Sequence, residues 1–106
     1  MFVAIVQIPM TKRPRDAAVA AARKSAPTYT ALRAKGLVRK YYLNGQAGGG
    51  GVYLWESEQA ARAWYTPDWE KRMEAAFGAR PTVTYYDNHV VVDNETGKVH
   101  VDGQNT

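Results

Sequence analysis

The chain begins with an apolar run, FVAIVQI at 2–8, whose β-branched content and length predict a strand, and Pro9 ends it. The polar loop TKRPRD follows. Pro14 suits a helix's first turn, and Asp16 suits an N-cap or first-turn position. AAVAAARKSA then predicts a helix on alanine propensity, with an inner stripe of Ala18, Val19, Ala22 and Ala26 small enough to lie close to a sheet. Pro27 predicts an interruption, with Ser25 capping a second short helix that turns Tyr29 and Leu32 inward. Gly36 suits the left-handed position that closes it. LVRKYYLN reads as a second strand, GQAGGGG as a turn, and VYLWE as a third strand, together an antiparallel hairpin. Ser57 caps the helix SEQAARAWY. Thr66-Pro67-Asp68 restarts it, with Trp69, Met73, Ala76 and Phe77 spaced for one buried stripe. Gly78 stops that helix, and Pro81 leads into TVTYYDNHVVVD, one long fourth strand. In the polar tail, Val99 and Val101 are placed for a small strand after the Glu-Thr-Gly turn.

The order β-α-β-β-α-β is the ferredoxin-like α+β plan: a four-stranded antiparallel sheet with its helices on one face. It predicts a single domain over 1–94 and a tail over 95–106. The face away from the helices carries more aromatic side chains than solvent alone explains. Two such sheets packed face to face give a homodimer with a barrel-like core.

At 106 residues the chain is one domain with a modest core. It has no cysteine, so disulfides and thiolate metal sites are excluded, and a reducing, cytoplasmic setting is expected. No apolar run approaches the roughly 20 residues that span a membrane. The net charge of +4 is uneven: residues 1–40 hold nine Lys/Arg against Asp16 alone, and the remainder is net acidic. A basic half suits an anionic partner or a solvated helix face. The glycine run 48–51 raises its own question, because glycine weakens strands. It provides a bend with positive φ, or it leaves room for a ligand or another backbone to approach.

No nucleophile elbow, phosphate-binding loop or dinucleotide fingerprint is present. Asp87 and His89 alternate onto one face of the fourth strand, but two ligands do not make a metal site. The chemistry is carried instead by aromatic side chains with polar ends. Alternation puts Tyr53 with Trp55, Tyr41 with Leu37 and Arg39, Tyr42 with Val38 and Lys40, and Tyr85 with Asp87 and His89. An apolar pocket between helices and sheet, lined by such rings, suits a flat aromatic ligand. The same rings also suit a core and a dimer interface, the commoner role for any single tyrosine or tryptophan.

GLVRKYYLN, GGVYLWES opening a helix, AWYTPDW and VTYYDNHVVVDN together resemble a mono-oxygenase family of the dimeric α/β-barrel superfamily, related to the antibiotic-biosynthesis mono-oxygenases. The resemblance spans about residues 2–94. It implies a cofactor-independent oxygenase, needing neither metal nor flavin, that deprotonates a small aromatic or polycyclic phenol and passes an electron to dioxygen. On that reading His89 or a tyrosine, Tyr53, handles the proton, and Arg39 or Gln7 holds the oxyanion. Trp55, Trp64 and Trp69 wall the ring, with Tyr29, Tyr41 and Tyr85 completing the pocket. The same superfamily also hosts lyases, cyclases and isomerases with His/Tyr acid–base chemistry, and non-catalytic or haem-binding dimers. RNA-recognition modules share the element order, but here Glu56 stands where an aromatic should close the third-strand motif. Nucleic acid is therefore not the expected partner.

Overall fold

A computed structural model describes residues 1–105. Strands β1 (Phe2–Ile8), β2 (Leu37–Gly45), β3 (Gly48–Trp55) and β4 (Thr82–Asp87) form one antiparallel sheet in the order β2-β3-β1-β4. That order and the helices α1 (Arg15–Ala31), α2 (Glu58–Trp64) and α3 (Pro67–Phe77) fit the ferredoxin-like plan. A second sheet, β5 (Val90–Asp93), β6 (Lys98–Val101) and β7 (Gln104–Asn105), is added after it. The small strand expected around Val99 and Val101 is β6.

Strict alternation in β1 sets the core. Phe2, Ala4, Val6 and Ile8 are buried under the helices, and Val3, Ile5 and Gln7 face the other way. Tyr53, Trp55, Leu32, Leu37, Ala61 and Trp69 complete the buried hydrophobic core among the described residues. The second sheet contributes none of it. The caps form as their chemistry requires. Ser57 Oγ accepts from the Ala60 N–H at 3.1 Å, and Thr66 Oγ1 accepts from the Trp69 N–H at 3.2 Å. Gly36 and Gly78 end their helical segments at φ 101° and 72°.

Four local expectations change. First, α1 runs unbroken through Pro27 into a 3₁₀ turn, Leu32–Lys35. Proline has no N–H to donate to the carbonyl four residues back, that of Arg23, and Arg23 is exposed, so water can serve that carbonyl. Ser25 caps nothing; its hydroxyl donates to the Ala22 carbonyl within the helix.

Second, the hairpin turn is only Gln46 and Ala47, so Gly48–Gly51 are strand, not turn. Third, the register of β2 on β3 slips between Leu37 and Arg39, leaving Val38 as a bulge. Leu37 then faces the core, while Arg39 and Tyr41 face the open side. Fourth, the long fourth strand is broken. β4 stops at Asp87, which pairs with Phe2, and the Asn88 N–H donates to the Met1 carbonyl at 2.9 Å. β1 offers nothing further to pair with, and the chain leaves for the second sheet.

Candidate functional site

β2 is an edge strand, and past the bulge it turns Lys40 and Tyr42 toward the helices. Lys40 pairs across the ladder with Tyr53 of β3, and α1 lays Tyr29 above both. The Lys40 ammonium position is thereby ringed by aromatic faces. Its Nζ lies 3.3 Å from the ring centre of Tyr29, 3.9 Å from that of Tyr42 and 4.7 Å from that of Tyr53. Among the described residues no carboxylate forms an ion pair with it. Burial pushes its amine down to about 7, because the charged form loses hydration. The three π faces act in the opposite sense, favouring the cation.

The glycine run is what lets this side chain lie flat. A Cβ on Gly51 would stand 3.1 Å from Lys40 Cε and 3.0 Å from Tyr53 Cε1. Gly49 gives the same room to Met10, whose Sδ would be 2.8 Å from a Cβ. On the other side, Gly48 and Gly50 hold φ of 125° and 132°, and a Cβ on them would strike the carbonyl oxygens of Ile8 and Val6. Alternate glycines therefore admit the neighbouring strand's backbone and the lysine stem.

Two spaces meet at Lys40 and Tyr42. The inner one, about 250 Å³, lies between α1, α3 and the sheet, and is bounded by Tyr53, Trp69, Met73, Phe77, Ser25 and the glycine floor. The outer one, about 590 Å³, is an open cleft along the edge of β2, with Tyr29, Thr30, Arg33, Arg39 and Glu56 on its walls. Ser25 Oγ and Tyr42 Oη, 2.8 Å apart, tie α1 to the strand. Burial raises the phenols of Tyr29, Tyr53 and Tyr65, so all three stay protonated at neutral pH. The indole N–H of Trp69, a side chain 1% exposed, has no hydrogen-bond partner among the described residues, nor has that of Trp64.

The structure gathers some of the expected residues and separates others. Tyr29, Tyr53, Trp55, Trp64, Trp69 and Tyr85 share the helix side of the sheet. Tyr53, Trp55, Trp69 and Tyr85 meet around Tyr65, whose ring meets Trp69 edge-on at 5.0 Å and whose hydroxyl accepts from Trp55 Nε1 at 3.2 Å, and Trp64 joins them through Tyr29 and Tyr53. Gln7, Arg39 and Tyr41 belong to the open side, where Arg39 Nη1 donates to Tyr41 Oη at 3.1 Å. Arg39 still reaches the outer cleft, because β2 is an edge. His89 lies beyond the end of β4, exposed, with Nδ1 3.2 Å from Asp102 Oδ1. Lys40 and Tyr65 were not among the expected site residues. The signal for Lys40 was its place two before Tyr42 in a strand opposite Tyr53.

No three His, Asp or Glu side chains among the described residues are grouped to hold a metal ion. No helix among them is long and apolar enough to cross a membrane. Fold and site together define a small α+β protein with a tyrosine-caged lysine at the mouth of an apolar helix–sheet cavity. Compared with protein-family models the chain finds no match, and compared with curated proteins it finds none either.

Proposed function

We propose that this protein is a cofactor-independent enzyme of the mono-oxygenase type, acting on a small aromatic or polycyclic phenolic substrate in the helix–sheet cavity, and working as a homodimer. The observation that carries the reading is the placement of Lys40, whose amine lies among the rings of Tyr29, Tyr42 and Tyr53 at the mouth of an apolar cavity, where burial pushes it down to about 7. A base poised near the working pH is the group needed to deprotonate an activated phenol or the methylene beside it. Once protonated, the ammonium stays beside the substrate anion and holds it, with the protonated Tyr53 and Tyr29 phenols close by. The carbanion then reduces dioxygen. Overall a ring methylene and O₂ give a ring carbonyl and water, with no other reductant. Trp69, Met73 and Phe77 exclude water from the reacting ring. In this reading Lys40 takes the proton-handling role expected of His89.

The dimer is supported by the open side of the sheet. Tyr41 and Tyr86 are each 53% exposed there, beside the half-buried Val3, Ile5, Val52 and Leu54.

Oxygen uptake with anthrone-type phenols tests the reading. Uptake equal to substrate consumed is expected, falling about 10²-fold or more in Lys40→Met with the fold intact. Wild-type protein that binds such phenols without consuming oxygen would refute the oxygenase assignment.

A further inference from the structure

We propose that Lys40 Nζ is also a covalent site, condensing with the carbonyl of an aromatic aldehyde held in the inner cavity to form an imine. This rests on the cavity assigned above but not on oxygen chemistry. A lysine becomes a nucleophile when its amine is desolvated and no carboxylate holds it as the ammonium. Lys40 is half-buried among three ring faces that displace part of its water, and no carboxylate forms an ion pair with it among the described residues. It also stands where the two spaces join, so an aldehyde lodged by its ring against Met73 and Phe77 presents its carbonyl carbon to Nζ.

The step balances without an oxidant. The nitrogen lone pair attacks the carbonyl carbon, and the ammonium proton passes to the oxygen, giving a carbinolamine. The hydroxyl then leaves as water, and the C=N bond forms. The Ser25–Tyr42 hydroxyl pair borders the same cavity, at 2.8 Å from each other, and is placed to relay the proton to the departing oxygen. The apolar walls then limit the water that would hydrolyse the imine.

The groups facing the amine are Tyr29 from α1, Tyr42 on its own strand and Tyr53 from β3. Arg33, Arg39 and Glu56 face it across the outer cleft, and Arg13 and Lys24 across the inner cavity. Burial, rather than a neighbouring charge, is what lowers the amine.

The test is reductive trapping. Full-length wild-type protein is incubated at pH 7 with benzaldehyde and cyanoborohydride, and the benzylated lysines are mapped by peptide mass spectrometry. The chain has six lysines: Lys12, Lys24, Lys35, Lys40, Lys71 and Lys98. At least tenfold preference for Lys40 is expected at pH 7, shrinking toward pH 10 as the exposed lysines also become neutral. Even labelling, or Lys40 the least labelled, overturns the proposal. Quenching of tryptophan fluorescence by 2-naphthol is measured in parallel. If naphthol binds but labelling is even, the covalent site is wrong and the cavity stands. If neither occurs, both fail.

Discussion

Lys40 shows how one residue's chemistry is set by what it is packed against. An ordinary lysine amine titrates near 10.5, and this one near 7. The unfolded chain therefore holds a proton that the folded chain has released between about pH 7 and 10.5, so stability rises with pH across that window. The tyrosines act the other way. Folding raises Tyr29, Tyr53 and Tyr65 above their usual 10, so their contribution is present below pH 10 and is lost as pH climbs beyond it. Urea midpoints should climb from pH 6 to pH 9.5 and fall by pH 11. In Lys40→Met the climb should vanish and the fall remain. A wild-type midpoint flat from pH 6 to 9.5 would contradict the buried amine. Gly51→Ala probes the same spot from beneath. Its Cβ would press on Lys40 Cε and the Tyr53 ring, costing about 1–3 kcal/mol, and it should weaken naphthol binding.

Among the elements, β3 is the least forgiving. Its glycines look like a loose turn in the sequence, and the sheet uses them as paired strand. Gly50→Ala would combine a positive φ with a collision against the Val6 carbonyl, at the centre of the sheet. It should cost about 3 kcal/mol or more, or abolish folding, whereas Gly78→Ala, with open space around it, should cost only about 1 kcal/mol. Equal losses by chemical denaturation would contradict this placement. The helix starts were legible because capping is local: Ser57 and Thr66 each bond within three residues. Thr66→Ala should lower stability by about 1 kcal/mol, read by thermal unfolding. The bulge at Val38 was not legible. Alternation predicts one face for Leu37, Arg39 and Tyr41, and only pairing with Trp55 and Leu54 shows that Leu37 departs from the other two.

At the scale of the molecule, the first sheet and its helical segments hold the whole buried hydrophobic core found among the described residues. The second sheet is a three-stranded addition. Its paired Val90 and Val101, and Val92 and Val99, are exposed along one face. The radius of gyration of 14.6 Å exceeds the roughly 13 Å of a compact chain this long, consistent with a projecting hairpin. A chain ending at Asn88 should therefore keep cooperative unfolding and buried-tryptophan emission, and loss of both would show that the hairpin supports the core. The homodimer is tested by light scattering of the full chain at high salt. Twice 11.8 kDa is expected, and a monomer would remove the face-to-face pairing.

The sequence by itself determined the order β-α-β-β-α-β of the first sheet and its helices, the caps at Ser57 and Thr66, the stops at Gly36 and Gly78, and the shared face of Tyr53 and Trp55. Each depends on neighbours within a few positions, through capping, glycine and proline geometry and two-residue alternation. Tertiary structure alone decided where β4 ends, which side Leu37 takes and why four glycines enter a strand. It also decided that a basic residue of an edge strand becomes the centre of a site. Lys40 is 11 residues from Tyr29 and 13 from Tyr53. Its cage exists only once α1 lies over the hairpin and Gly51 leaves the room beneath, and no local pattern carries a desolvation that partners so distant in the chain produce.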